Sequence, residues 1–238
     1  MELIPTLPKS VDWRAKGKVS SPADQGLCGG CWAFAAAALL ESLNAIENNL
    51  EECPVYSVQY LMDCDKIDVG CDGGWMLDTF DWTKENGIIP WTSYPKGWMG
   101  DITRCEKVEK EVPRWYNHGG MEEDNVSNER MKELLVKQPI GAAMYTNYGC
   151  MNFYKNGILT EADCECSDPN VHDVTHAVTV IGYGVSEFPG CKEYWLVRNS
   201  WGPVWGDKGS FRLCADREGP TAKYGTCQIN SYIMWPTL

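Results

Sequence analysis

The chain has 238 residues, room for one large domain or two lobes around a sizeable core. A formal net charge of −12 excludes the basic footprint of nucleic-acid or anionic-membrane binding, and no apolar run approaches the roughly 18–20 residues that span a bilayer. Twelve scattered cysteines point to a disulfide framework in an oxidising setting, either secreted or in a lysosome- or vacuole-like compartment.

The start, MELIPTLPKS, has neither the basic nor the apolar region of a signal peptide, so a processed chain is expected. A first helix is expected from Cys31 to about Asn48, through the Ala35–Leu40 run of strong helix formers. Ser57 is placed to cap a short helix through Met62. Trp75–Asn86 reads as an amphipathic helix stopped by Gly87. Pro113 and Gly119-Gly120 interrupt the pattern within Glu109–Asn125, where a lobe boundary is expected. The sequon Asn125-Val126-Ser127 follows, and Ser127 is placed to cap a helix that must end before Pro139. Beyond it, Ile140–Tyr145, Val174–Tyr183, Tyr194–Arg198 and Ser210–Leu213 are rich in β-branched and aromatic residues and read as strands. Helices followed by strands make an α+β chain of two lobes.

Chemistry concentrates around QGLCGGCWAFAAAALLES, Gln25–Ser42. Cys28 and Cys31 have the spacing of a redox pair, but no strand leads into them and the helix begins at the second cysteine. Half a zinc site needs a matching pair, and Cys164-x-Cys166 is too tight to supply one, with only three histidines in the chain. A thiol at a helix N-terminus is favoured as thiolate by the helix dipole. It still needs a base and an orienting partner. His176 in THAVTVIGYG and Asn199 in RNSWGPVWGDKG, both at strand ends, are the candidates.

Together VDWRAKGKV, DQGLCGGCWAF, YLMDC, GCDGGW, FYKNGI, THAVTVIGYG and RNSWGPVWGDKG span nearly the whole chain. In this order they resemble the papain family of cysteine proteases, in particular a cathepsin L-like mature domain. The resemblance implies a two-lobed papain-like α+β fold over residues 1–238. The helical lobe would hold about 16–118 plus the C-terminal tail, and a β-barrel-like lobe about 119–232 plus the N-terminal segment, with the cleft between them. It implies Cys31 as nucleophile, His176 as acid/base, Asn199 as its orienting partner under the indole of Trp201, and Gln25 as oxyanion donor with the Cys31 N–H. Substrate would lie along Gly73, Gly74, Trp75 and Met76 on one side and Ala143 and Thr175 on the other, with Tyr232 on the floor of the pocket for the P2 side chain. No cofactor or metal is required. The partners implied are peptide and protein substrates and an inhibitory prosegment, acting on a monomer. Glu41 and Arg198 match a buried inter-lobe ion pair.

The resemblance also implies bridges Cys28–Cys71, Cys64–Cys105 and Cys164–Cys227. Of the remaining cysteines, Cys191 and Cys214 could meet across a hairpin and Cys150 and Cys166 could join neighbouring loops, leaving Cys53 alone. Gly30 stands where the family signature has Ser or Ala. CECSDPNVHD, before the His176 strand, is read as a surface loop. The rival readings are a catalytically silent homologue that binds peptides or partners, and a disulfide-rich structural protein. The latter gives no reason for a histidine and an asparagine at these strand ends.

Overall fold

The computed structural model describes residues 7–146, 148–166, 174–216 and 222–238. Helix α1 (Cys31–Glu47) is buried almost all round, from Trp32 to Leu43, because small alanines let packed neighbours approach every face. Around it, Leu39, Leu40, Leu61 and Phe80 form the core of the helical lobe, which Ala143 and Met234 join from the other lobe.

Helix α2 (Val58–Cys64) starts where the Ser57 hydroxyl accepts the Tyr60 N–H. Helix α3 (Met76–Asn86) buries Met76, Thr79, Phe80 and Thr83 and ends at Gly87, whose φ of 69° is left-handed. Helix α4 (Asn128–Lys137) is capped by Ser127, which leaves Asn125 of the sequon on an exposed turn.

Seven antiparallel strands form the other lobe. They are β1 (Val11–Asp12), β2 (Gly120–Asp124), β3 (Ile140–Met144), β4 (His176–Val185), β5 (Glu193–Arg198), β6 (Ser210–Cys214) and β7 (Tyr232–Pro236). Their order is β2-β7-β3-β4-β5-β6, with β1 paired to β4. Trp195, Phe211, Val180, Ile140 and Leu135 pack inside this lobe. Three of these strands lie outside the sequence expectations, and β1 is only two residues long. β2 is acidic and opens on glycine, and β7 is a continuous apolar run without alternation, so only tertiary pairing marks them.

Five disulfides join the described cysteines, and two sequence-based pairings are corrected. Cys28–Cys71, Cys64–Cys105 and Cys191–Cys214 form as expected. Cys164 bonds Cys150 rather than Cys227, and Cys227 bonds Cys166. Local backbone decides this. Thr160 caps the single turn Glu161–Cys164, and Glu165 then turns left-handed at φ 48°, so the two cysteines on either side of it face different partners. Most of the CECSDPNVHD loop, residues 167–173, lies outside the described residues.

Candidate active site

Cys31 opens α1 at the floor of the inter-lobe cleft, a cavity of about 320 Å³. Its position depends on Gly29, whose N–H donates to the Cys71 carbonyl at 3.1 Å. A Cβ on Gly29 would stand 2.3 Å from that oxygen, so only glycine lets the two chains approach. At Gly30 a Cβ would meet the Met62 thioether at 3.2 Å, so the missing methyl is replaced by packing rather than left as a void.

His176 begins β4 beside the thiol, opposite Met144 of β3. Its Nε2 lies 2.8 Å from Asn199 Oδ1, and that same oxygen accepts the Ser200 backbone N–H at 2.8 Å. A backbone N–H can only donate, so the atom facing it is oxygen and His176 Nε2 must carry a proton. The imidazole therefore turns Nδ1 toward Cys31. The Trp201 ring covers the imidazole with centroids 5.5 Å apart and is braced edge-on by Trp205.

Burial opposes ionisation of the Cys31 thiol. The hydrogen bond and charge of His176, with the N–H groups of Ala177 and Trp32, outweigh it and hold the thiol below its ordinary value. The Ala177 N–H reaches Sγ at 3.4 Å. For His176 burial disfavours the cation, but Cys31 and then Asn199 more than compensate, raising it above the usual imidazole value. Both directions favour a thiolate–imidazolium pair.

Gln25 is buried at the cleft edge. Its Oε1 accepts the Ser200 hydroxyl at 2.5 Å and its Nε2 donates to the Cys28 carbonyl at 2.9 Å. Held by its oxygen, the amide presents N–H toward the cleft, beside the Cys31 N–H, which as the first of the helix has no intrahelical acceptor. Ser200 thus fixes both Gln25 and Asn199. Nothing in its residue type signalled that role, although it lies inside the RNSWG motif.

Along the cleft the structure brings together Gly73, Gly74, Trp75 and Met76 on the helical side with Ala143, Thr175 and also Val174 on the strand side. Asp72 lines the mouth and is exposed. Tyr232 is not part of this lining. It pairs with Ala143 in the sheet and meets the Trp75 ring edge-on at 5.5 Å. The expected tyrosine floor is corrected to a tyrosine that supports the tryptophan wall, whose indole N–H also donates to Glu122 at 2.6 Å.

Glu41 and Arg198 do not touch directly. Ser20 lies between them, donating to Glu41 and accepting from Arg198 Nη2 at 3.2 Å. Glu41 Oε1 also accepts the Tyr56 N–H at 2.8 Å.

The model of a family described as papain family cysteine protease matches residues 7–237. "Cysteine protease Amb a 11.0101" of Ambrosia artemisiifolia is 35% identical over 99% of this chain and 56% of its own length. The solved proform of that ragweed pollen allergen superposes with a TM-score of 0.83 at 32% identity, over 99% of this chain and 66% of that one. The bromelain protease from Ananas comosus, solved with the E64 inhibitor, gives 0.82 at 34% identity, over 98% of this chain and 100% of that one. The chain spans 56% to 61% of the length of curated relatives such as the ragweed protease and chymopapain of Carica papaya.

Proposed function

Because the chain belongs to the papain family of cysteine proteases, we propose that it is a thiol endopeptidase working through Cys31, His176, Asn199 and Gln25. The observation that carries this reading is the His176 imidazole held between the thiol and an amide oxygen whose orientation Ser200 fixes. In the proposed reaction the Cys31 thiolate attacks the scissile carbonyl. The Gln25 amide and the Cys31 N–H receive the oxyanion, and the imidazolium gives its proton to the leaving amine. Water, deprotonated by the now neutral His176, then cleaves the thioester and the thiol leaves as thiolate. The chemistry calls for no cofactor.

The P2 side chain enters between Trp75 and Met76 on one wall and Ala143, Val174 and Thr175 on the other. The Thr175 hydroxyl is engaged by Thr146. The Glu122 carboxylate accepts the Trp75 indole N–H and is not among the residues that line the cavity. A basic P2 group would be desolvated there without a partner, so Val, Leu or Pro is preferred over Arg, and over Phe by a smaller margin. An inhibitory prosegment in the precursor and an oxidising compartment complete the reading.

Profiling the mature chain with a peptide library varied at P2 tests it, alongside Cys31→Ala. Cleavage that favours Val, Leu or Pro and vanishes in the variant supports the reading. A parent that binds peptides without forming an acyl-enzyme makes it a silent homologue, and an Arg-preferring parent overturns the pocket assignment.

A further inference from the structure

The helical wall of the cleft is tied down by a carboxyl group outside the catalytic set. Asp68, half-buried in the loop after α2, accepts the Trp75 backbone N–H on Oδ1 at 2.6 Å and the Thr79 hydroxyl on Oδ2 at 3.4 Å. It thereby supplies the cap that Trp75, which precedes α3, does not provide with its own side chain. The fit is close. A Cβ on Gly74 would stand 2.5 Å from Asp68 Oδ1 and 2.6 Å from the Trp32 ring. From the far side of the same loop, Val69 donates to the Gly73 carbonyl at 3.1 Å.

Behind Asp68 lies Asp65, only 2% exposed. Its Oδ1 accepts the Ile67 N–H at 2.9 Å. Its buried Oδ2 has no hydrogen-bond partner, and the Asp68 side chain stands close enough to act on this carboxyl. A proton held between the two carboxyl groups would give that orphaned oxygen a partner, since two carboxyls can bond only when one of them carries a proton.

We propose that Asp68 is a positioning residue for substrate: sharing one proton with Asp65, it holds Gly73–Trp75 in place as the cleft wall, and loss of that proton loosens the wall. This deepens the peptidase reading of the cleft and rests on it for the substrate.

The acidic groups that act on Asp68 are the carboxyls of Asp65 from its own loop and of Asp78 from α3. From α1 the packed neighbour is the uncharged Trp32. The adjacent Lys66 turns its ammonium to the Asp63 carbonyl. Burial first, then these two carboxyls, push Asp68 up to about 7, against the opposing N–H of Trp75 and hydroxyl of Thr79. Because the folded value lies above the ordinary carboxyl value, the contribution of the shared proton is complete in acid and is lost as pH rises through about 7.

The experiment compares the parent with Asp68→Asn and Asp68→Ala, each first checked for cooperative unfolding. In the parent, KM for a peptide filling the P2 pocket should rise about fivefold between pH 5.5 and 8. In Asp68→Asn the amide donates to Asp65 at every pH while its oxygen keeps the Trp75 N–H, so KM should stay flat over that range. In Asp68→Ala, KM should be raised by about the same factor at acidic pH as well, with the pH profile of Cys31 alkylation by iodoacetamide following the parent's. A KM profile in Asp68→Asn that tracks the parent's overturns the proposal, as does an alkylation profile in Asp68→Ala that moves with KM. Hydrogen exchange of the Trp75 amide needs no turnover. Its protection should fall above about pH 7 in the parent and not in Asp68→Asn. If no form cleaves peptide, the peptidase reading fails and the Trp75 amide alone decides; protection in the parent that does not change with pH then overturns the positioning role.

Discussion

Cys31 and Cys53 are the two described cysteines outside disulfides, and each is partly accessible. Both thiols are opposed by burial, yet they shift in opposite directions. Beside Cys31 stands an imidazole whose other nitrogen is pinned, together with donors from Ala177 and Trp32. Near Cys53 the next influence after burial is the Glu41 carboxylate. Arg198, a backbone donor at Ser20 and Lys18 offset it too weakly, and the thiol is pushed up to about 12. The contrast locates reactivity in the partner groups, since burial alone would silence both thiols.

The largest effect should come from Cys31→Ala, which should lower kcat by about 10⁴-fold or more while leaving the unfolding midpoint within about 3 °C. Cys53→Ser should leave kcat/KM within about twofold, because nothing in the site touches it. Equal losses in the two variants would erase the distinction between the thiols. Cys28→Ala should act through stability, removing a bridge that closes 43 residues and costing about 2–4 kcal/mol by denaturant unfolding. Gln25→Ala follows, with an expected drop in kcat of about 10²–10³ from loss of one oxyanion donor. Ser200→Ala keeps that donor but frees its orientation, so its loss should be smaller than that of Gln25→Ala.

Much of the frame on which this contrast stands is legible in the sequence. The alanine run of α1, the caps at Ser57 and Ser127, and the stop at Gly87 are local signals, and these helices lie within two residues of where the pattern puts them. The identities of Cys31, His176, Asn199 and Gln25 come from motif resemblance. No periodicity brings residues 145 positions apart together. What stayed hidden depends on side-chain aim. The partners of Cys164 and Cys166 turn on one left-handed residue between them, and the place of Tyr232 turns on whether its ring faces the cavity or the Trp75 edge. No motif or pattern in the sequence marks Asp65 and Asp68, which the fold brings near enough to influence each other.

Titration sharpens the comparison. The lowered Cys31 and raised His176 values open a window in which the ion pair exists, so kcat/KM should follow a bell: the acid limb is thiolate formation and the alkaline limb is loss of the imidazolium. Iodoacetamide at about pH 6 should label Cys31 at least about 100-fold faster than Cys53, read by mass spectrometry of the two peptides. Comparable rates, or a single alkaline step for Cys31 near the free-thiol value of about 8.5, would remove the ion pair.

The smallest effect is expected at Cys53 itself. Glu41→Gln removes the anion that follows burial in raising this thiol, while its amide oxygen can still accept the Tyr56 N–H. Arg198, already linked to position 41 through Ser20, then acts on Cys53 without a competing negative charge. The thiol should fall from about 12 toward its ordinary value, and alkylation at about pH 9 should quicken by roughly threefold. The same change leaves Arg198 buried without its anionic partner, at a cost of about 3 kcal/mol or more. Faster labelling could therefore arise from opening of the fold, and a set of backbone amides in α1 provides the control. If their hydrogen exchange is still slow under the labelling conditions, the gain at Cys53 is electrostatic. If Cys53 labels no faster in a variant whose α1 amides are protected, the Glu41 carboxylate is not what separates the two thiols.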